Sequence, residues 1–219
     1  MQDPYALWSS LARPWQQAFE AAWASWRSGS LGVGAAITDA QGTIVAVGQN
    51  RRFDPPDGPG PLAGIPMAHA EMNALASLPA AECRGYTLYT TLEPCFMCAA
   101  TMTGTYHIPR VLFASHDPSW DGLEEVFRRQ PVTARFLPQR EHLGGPYSVL
   151  AYVLHLAAIL HHWPGPRDDH ERLAPGRLAL ARQVLQRGDL GRLARDGAGP
   201  QDVAHALWAD LCRVAAIAA

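Results

Sequence analysis

The sequence predicts an α/β fold of layered helices and sheet, followed by a helical C-terminal region. Two observations predict the first part: segments rich in β-forming residues alternate with helical segments, and a strand–helix–strand stretch lies near the middle of the chain. After about Pro138 the β-branched alternation disappears and apolar residues recur at helical spacing. We therefore expect one domain over residues 1–138 and a helical region over 139–219, either a separate small domain or a packed extension.

The first elements are an amphipathic helix and a β-hairpin. Apolar residues recur at helical spacing over Trp15–Trp26, after Pro14 at a first-turn position where proline is tolerated and before Gly29 at the stop. Two segments of β-forming residues, Val33–Thr38 and Gly42–Asn50, flank a short turn. This arrangement predicts the hairpin.

A proline-rich loop separates the hairpin from the strand–helix–strand stretch. Residues 51–66 hold five prolines and three glycines, and long irregular loops in compact domains are often functional. The segment "HAEMNALASL" then predicts a helix. Further along, Gly85–Glu93 predicts a strand, Pro94–Thr103 a helix and Pro109–Ser115 the next strand. Since a crossover of this length joins parallel strands, we expect these two strands to be parallel.

The composition limits the classes of protein. The chain has 219 residues, 48% of them hydrophobic, a formal net charge of −2, and 18 basic residues that are all arginine. A near-neutral chain has no global attraction to phosphate backbones, so a nucleic-acid partner is disfavoured and would need a local patch. No apolar run reaches about 18 residues, the N-terminus lacks a signal-peptide pattern, and the four cysteines make a poor disulfide framework. We expect a cytoplasmic protein without a membrane partner.

The strongest chemical signal combines two short motifs. "PCFMC" places Cys95 and Cys98 three apart, and two thiolates at this spacing can bind one metal ion from a single helical turn. His69 lies at the start of its own helix, so convergence of the two helix N-termini would supply a third ligand. Three protein ligands leave the fourth tetrahedral position open for water, which is typical of catalytic zinc. Glu71 would then lie beside that water as a proton acceptor.

Each motif has a simpler interpretation by itself. A lone CxxC occurs by chance and in redox sites, and a lone histidine on an apolar face is most often a hydrogen-bonded core residue. Together, however, the His-x-Glu pair, 22 intervening residues and Pro-Cys-x-x-Cys match a zinc-deaminase signature. A redox site would give no role to His69 or Glu71.

The chain resembles the cytidine deaminase-like superfamily of zinc-dependent deaminases. It is most similar to the branch that contains tRNA adenosine deaminases, guanine deaminases and related nucleobase deaminases. The matching segments lie within about residues 14–130 and are "LGVGAAITDAQGTIVAVGQN", "HAEMNAL", "LYTTLEPCFMCAATM" and "IPRVLFASHDP". The resemblance implies a three-layer α/β/α sandwich with a mixed five-stranded sheet, and a dimer or higher oligomer. We expect a homodimer.

The resemblance also implies roles for single residues at matched positions. It makes His69, Cys95 and Cys98 the ligands of Zn²⁺ and Glu71 the proton shuttle. Four further positions match the substrate region of the family. Asn50 matches an asparagine that contacts base or sugar, and the backbone amide of Ala70 matches a substrate contact. Glu93 matches a position near the metal, where it would support the ligands, and Asp117 falls in a loop that shapes the pocket in relatives.

The activity that the resemblance implies is hydrolytic deamination of a nucleobase, nucleoside or related heterocycle. Two departures from the family count against tRNA recognition: the last 80 or so residues are charge-balanced and have no counterpart that we recognise, and the proline-rich loop is long. The compact "PCFMC" also argues against riboflavin-pathway deaminases, which carry a longer insert between these ligands.

Two alternatives stay open. One is a tRNA or other nucleic-acid adenosine deaminase, which would need a basic groove near Arg51, Arg52 and Arg110. The other is a non-catalytic zinc scaffold, against which the intact Glu71 argues. The C-terminal region offers three further histidines, His155, His161 and His162, without acidic or cysteine partners at ligand spacing. We interpret these as surface or packing residues of a helix and not as a second metal site.

Overall fold

A mixed five-stranded sheet forms the centre of the protein. The computed structural model describes residues 3–58, 60–78, 83 and 85–217. The strands are β1 (Gly34–Thr38), β2 (Ile44–Gln49), β3 (Thr87–Leu92), β4 (Arg110–Ser115) and β5 (Gln139–His142), in the spatial order β2-β1-β3-β4-β5. β1 is antiparallel to β2 and β3, whereas β3, β4 and β5 run parallel. The predicted hairpin and the predicted parallel pair are both confirmed.

Helices cover both faces of the sheet and extend beyond it. In the first part of the chain they are α1 (Pro4–Ser10), α2 (Arg13–Arg27), α3 (Ala70–Ala76), α4 (Phe96–Thr101), α5 (Leu123–Arg129) and α6 (Pro131–Ala134). α4 continues as a π-helical segment, Met102–Tyr106, and a 3₁₀ turn spans Pro118–Trp120. In the C-terminal part they are α7 (Gly145–His162), α8 (Asp168–Leu173), α9 (Pro175–Arg187), α10 (Asp189–Arg195) and α11 (Pro200–Ile217).

Alternation of side chains along the strands divides the core between the two faces of the sheet. On one face, Ile37, Leu88 and Val111 pack with residues of α3 and α4. On the other face, Tyr89 and Leu112 pack with residues of α2 and α7. The order of layers is therefore helix, sheet, helix, which confirms the three-layer sandwich.

The fifth strand lies where the sequence predicts only helix. Gln139–His142 pairs in parallel with β4, although it shows no apolar alternation. It is an edge strand with three of its four residues exposed, so its side chains need no apolar pattern. The predicted boundary at residue 138 thus falls just before the last strand, and the helical region begins with α7.

α7 is the central element of the C-terminal part. Twelve of its 18 residues are buried, because the sheet and α2 cover one side of it while α9 and α11 cover the other. Since α7 shares a core with α2, we propose that the C-terminal helices are a packed extension and not a separate domain. Although α7 is strongly apolar, no helix in the described ranges has the length and hydropathy that are needed to cross a membrane.

Two glycines set how closely the helices approach the sheet near the metal-ligand motifs. A Cβ on Gly48, in β2, would lie 2.2 Å from the carbonyl oxygen of Ala70, so α3 can approach β2 only because a side chain is missing there. Gly32 has a φ of +63°, and a Cβ on it would lie 2.7 Å from the carbonyl oxygen of Leu154 in α7. The segment that leads into β1 therefore contacts the backbone of α7 directly.

Gly32→Ala should destabilise the protein through this contact. The substitution adds left-handed backbone strain and a clash with a helix backbone that is fixed by its own core, so we expect the free energy of unfolding to fall by about 2–4 kcal/mol. Urea denaturation measures this change. Gly29→Ala is the matched control: its φ is also positive, +85°, but nothing lies within 4 Å of its Cβ, so only about 1–2 kcal/mol should be lost. Equal losses in the two variants would contradict a close approach of α7.

Candidate active site

The three predicted metal ligands converge where α3 and α4 begin. His69 directly precedes α3 and Cys95 directly precedes α4. The Nδ1 atom of His69 lies 3.5 Å from the Sγ atom of Cys95 and 3.6 Å from that of Cys98, and the two sulfurs are 3.6 Å apart. Within the described ranges, this is the one group of three such side chains that could hold a metal ion.

The donor set fits zinc. Zinc bonds of about 2.3 Å to sulfur and about 2.0–2.1 Å to nitrogen place the ligand atoms of a tetrahedral site about 3.6–3.8 Å apart. The separations of 3.5–3.6 Å found here are close to those values. Two thiolates and one imidazole are also donors that zinc accepts readily. The fourth position is left for water or substrate, as in catalytic zinc sites.

The protonation states of the two thiols differ because they share one hydrogen bond. Donation from Cys98 lowers the pKa of Cys95 to about 4, although burial opposes the shift. The same hydrogen bond and burial raise the pKa of Cys98 well above its ordinary value. For His69, burial favours the neutral ring, but the hydrogen bond with Cys95 and the charge of Glu71 raise its pKa overall. The hydrogen bonds from Cys98 and His69 thus favour the thiolate form of Cys95, which is the form that binds a metal ion.

Glu71 lies beside the ligands on the first turn of α3. It is 3% exposed, and it lines the same pocket as His69 and Cys95. Burial, followed by the charge of Cys95, raises the pKa of its carboxyl to about 7. A carboxyl with a pKa close to neutral can both take up and release a proton during a reaction.

A pocket of about 240 Å³ opens over the ligand group. Residues at the ends of the hairpin strands form one side of the pocket. Residues of α7, together with Trp163 directly after it, form another side. The remaining lining comes from the segments that follow β2, β3 and β4. Its residues are Leu31, Val33, Asn50, Arg52, His69, Glu71, Leu92, Glu93, Cys95, Asp117, Ser119, Trp120, His155, Ile159 and Trp163.

Asn50 lines the pocket, whereas Ala70, between two lining residues, is buried and does not line it. The Oδ1 atom of Asn50 accepts hydrogen bonds from the Ser30 hydroxyl, at 2.8 Å, and from the backbone amide of Arg52, at 3.1 Å. Because a backbone amide can only donate, the side-chain atom of Asn50 that faces Arg52 must be the oxygen. The Nδ2 group therefore points away from Ser30 and Arg52. Ala70 is the first residue of α3, so its amide has no partner within the helix.

Glu93 and Asp117 follow the carboxyl ends of β3 and β4. The Glu93 carboxylate forms an ion pair with Arg140 and hydrogen bonds with His116 and the amide of Asp117. Burial opposes the charge of Glu93, but the hydrogen bond with His116 and the charge of Arg140 lower its pKa. Asp117 accepts a hydrogen bond from the Ser119 amide, at 3.0 Å. Since Glu93 is engaged on three sides, we propose that it holds the Asp117 loop in place.

A chain of hydrogen bonds joins the C-terminal helices to the same loop. The hydroxyl of Tyr152 lies 2.6 Å from Nδ1 of His170, and Nε2 of His170 lies 3.2 Å from the hydroxyl of Ser119. Burial lowers the pKa of His170 and raises the pKa of Tyr152. Both shifts favour the neutral groups, and each nitrogen of the His170 ring then has one hydroxyl as its hydrogen-bond partner. The C-terminal helices thus fix one wall of the pocket.

Sequence reasoning missed the pocket residues of the C-terminal part: His155, Ile159 and Trp163. The interpretation of His155 as a packing or surface residue is incomplete, because it lines the pocket as well as packing against Leu31. His161 and His162 are not among the lining residues. A signal was available: His155 is the one histidine in the apolar segment 149–160, and a buried polar group requires a partner.

Comparison with known proteins finds similarity to zinc-binding deaminases. The model of the family described as cytidine and deoxycytidylate deaminase zinc-binding region matches residues 9–115. Cytosine deaminase of Candida albicans is 29% identical over 104 residues, a match that covers 46% of this chain and 63% of that relative's length. Residues 9–115 are thus similar to a zinc-binding deaminase region, in agreement with the resemblance of the sequence motifs to the cytidine deaminase-like superfamily. The predicted Zn²⁺ cofactor is thereby confirmed.

Two solved structures of deaminases match about half of the chain. A transfer-RNA deaminase studied for A-to-I editing at the wobble position is 24% identical, with 57% of this chain and 93% of that chain covered and a TM-score of 0.46. Guanine deaminase from Bacillus subtilis is also 24% identical, with 53% and 74% covered and a TM-score of 0.39. Neither likeness decides the substrate or the branch of the superfamily.

Proposed function

We propose that the protein is a zinc-dependent hydrolytic deaminase of a small aminated heterocycle: a nucleobase, a nucleoside or a related compound. The observation that supports this most is the buried Glu71 in the same pocket as the zinc ligands. A purely structural zinc site is closed by four protein ligands and needs no carboxyl group beside it. Three ligands and a buried carboxyl beside the open position are suited to proton transfer to a bound molecule.

The proposed reaction replaces one C–N bond by one C–O bond. When bound, zinc makes water a nucleophile near neutral pH. Glu71 would take one proton from the attacking water and pass it to a ring nitrogen of the substrate. It would then take the proton of the hydroxyl group added to the ring carbon and deliver it to the departing amine, while that oxygen becomes the carbonyl oxygen of the product. One water is consumed and one ammonia is released, and Glu71 returns to its starting state without any change in oxidation state.

Other pocket residues would orient the ring. The Nδ2 group of Asn50 can donate hydrogen bonds to acceptor atoms of a heterocycle. Asp117 can accept a hydrogen bond from a substrate amine or hydroxyl. Trp120 and Trp163 line the pocket with flat apolar surfaces, which suit the faces of an aromatic ring.

The arginines that would form a groove for nucleic acid are not grouped together. Arg51 is buried in an ion pair with Asp54 at 2.8 Å. Arg110 begins β4, at the opposite end of the strand from the pocket, and pairs with Glu141. Of the three, Arg52 alone lines the pocket. This arrangement supports a small-molecule substrate over a polynucleotide, whose backbone requires several cations in a row.

The proposal includes an assembly and a place in the cell. We propose a homodimer in the cytoplasm, with neither a nucleic-acid nor a membrane partner. Size-exclusion chromatography with light scattering measures the mass of the particle. A monomeric mass at micromolar concentration would contradict the dimer without affecting the proposed chemistry.

A screen for ammonia release tests the proposed activity. Zinc-loaded protein is incubated with adenine, guanine, cytosine, their nucleosides and nucleotides, and unfractionated tRNA. We expect release from at least one small substrate and none from tRNA, with the Glu71→Gln variant run in parallel to detect contaminating deaminases. Release from tRNA alone would contradict a small-molecule substrate. No release from any compound would contradict the enzyme and favour the zinc scaffold.

A further inference from the structure

The family match ends at residue 115, but the pocket is also lined by residues that come later in the chain. His155, Ile159 and Trp163 line it, and they come from α7 and the residue that follows α7. Residues four apart share one face of a helix. One face of α7, from a part of the chain outside the family match, therefore forms a wall of the zinc pocket.

Hydrogen bonds hold this wall against the segment that leads into β1. The ring of His155 bonds through Nδ1 to the carbonyl oxygen of Leu31, at 3.1 Å. About two helical turns further along, Nε2 of His162 bonds to the carbonyl oxygen of Gly29, at 2.9 Å. With the close backbone approach at Gly32, these contacts fix the position of α7 relative to the pocket.

The bond to Leu31 also determines which nitrogen of His155 carries the hydrogen. A carbonyl oxygen can only accept, so the hydrogen lies on Nδ1. Burial lowers the pKa of His155, even though the charge of Asp117 opposes the shift, so the ring is neutral. Nε2 is then a bare nitrogen, which can accept a hydrogen bond and cannot donate one.

We propose that His155 is a specificity-determining residue of the pocket, whose Nε2 atom accepts a hydrogen bond from an N–H or O–H group of the substrate. Ile159 and Trp163 pack against the apolar surface of the same molecule. The proposal rests on the proposed function for the class of ligand, an aminated heterocycle or its nucleoside. It goes beyond that function because it requires a donor group on the ligand in addition to the amine that reacts.

Asn50 and His155 together would make the pocket selective. Asn50 presents a donor through Nδ2, whereas His155 presents an acceptor. A ligand with an acceptor facing His155 would bring two lone pairs together and lose a hydrogen bond to water without replacement, which is how polar sites reject close analogues. The donor can be a ring N–H of a free base or a sugar hydroxyl of a nucleoside, and the affinities of bases and of their nucleosides distinguish the two.

Binding to an inactive protein tests the proposal without relying on turnover. Zinc-loaded Glu71→Gln is titrated calorimetrically with adenine, guanine, cytosine and their nucleosides. The ligand that binds most tightly is then titrated into the same protein with His155→Leu or His155→Gln added. We expect Leu to weaken the affinity by about 10- to 100-fold. Gln should recover most of this loss, because its side-chain oxygen can also accept a hydrogen bond.

The matched control is His161→Leu, which removes the same ring from an exposed position of α7 that does not line the pocket. We expect it to change the affinity less than about twofold. An unchanged affinity in the His155→Leu protein would overturn the proposal, as would equal losses for the Leu and Gln variants. Failure of every ligand in the panel to bind would overturn it as well, because the class of ligand is part of the proposal.

Nitrogen NMR gives a second measurement in which His155 itself is kept. Without ligand, Nδ1 of His155 should appear as protonated and Nε2 as bare, with the signals assigned by their loss in the His155→Gln protein. Saturation with the ligand should move the Nε2 resonance in the direction of hydrogen-bond acceptance. A resonance that does not move would overturn the proposal. Ligand binding with this shift but no ammonia from the active protein would instead reject the proposed deamination.

Discussion

Replacing Glu71 by glutamine should leave a folded, zinc-loaded protein that turns over about 10²–10⁴ times more slowly. Glutamine keeps the shape of the side chain but cannot take up and release a proton near neutral pH. It removes none of the three ligands, so the zinc content should not change. The measurement is kcat on the substrate found in the ammonia screen, with elemental analysis and thermal unfolding on the same sample.

Glu141→Gln is the control for this variant. Glu141 is an exposed carboxylate in β5 that pairs with Arg110, away from the pocket, and its replacement should leave kcat within about twofold. A Glu71→Gln protein with normal kcat would exclude Glu71 as the proton shuttle. Loss of zinc from that protein would instead show that Glu71 holds the metal.

Cys95→Ala should lose the metal. Removal of one of three protein ligands leaves two, which cannot hold zinc against its hydration in a site of this kind. We expect the zinc content of the purified protein to fall from about one ion per chain to near zero, with loss of ammonia release. Elemental analysis measures the first quantity directly. His69→Ala should behave in the same way.

Cys212→Ala is the matched control for Cys95→Ala. It also removes a thiol, but Cys212 lies in α11 outside the ligand group. It should keep both zinc and activity. Chelation should lower the melting temperature of the unsubstituted protein and of Cys212→Ala, since metal binding contributes to the stability of the folded state. Chelation should have no effect on Cys95→Ala. A Cys95→Ala protein that retains stoichiometric zinc would contradict the ligand set.

Features fixed by short stretches of sequence could be predicted. The hairpin of β1 and β2 follows from two β-rich segments around a short turn, and the parallel pairing of β3 and β4 from the crossover between them. Convergence of His69 with the two cysteines follows from that topology, because both ligand-bearing helices begin at the same edge of the sheet.

Features that depend on distant partners could not be predicted. β5 is a strand because it pairs with β4, and its own polar residues do not indicate one. His155 faces the pocket because α7 packs against Leu31, a contact between residues 124 positions apart. Nothing in the local sequence around His155 indicates which distant segment α7 will contact.

The two glutamates of the pocket illustrate the same limit. Arg140, from β5, and His116 stabilise the charged form of Glu93, whose pKa is lowered although burial opposes it. Burial and the charge of Cys95 disfavour the charged form of Glu71, whose pKa rises to about 7. The sequence shows two similar carboxyl groups close to metal-ligand motifs. Only the three-dimensional surroundings support different proposed roles for them, proton transfer for Glu71 and support of a loop for Glu93.

The mass of the product formed in water enriched in oxygen-18 tests hydrolytic deamination at this pocket most directly. Zinc-loaded protein is incubated with its best substrate from the ammonia screen, and the product is examined by mass spectrometry while ammonia is measured in the same sample. We expect one solvent oxygen atom in each product molecule and one ammonia released for each. Ammonia released with no solvent oxygen in the product, or substrate consumed without ammonia, would contradict hydrolytic deamination.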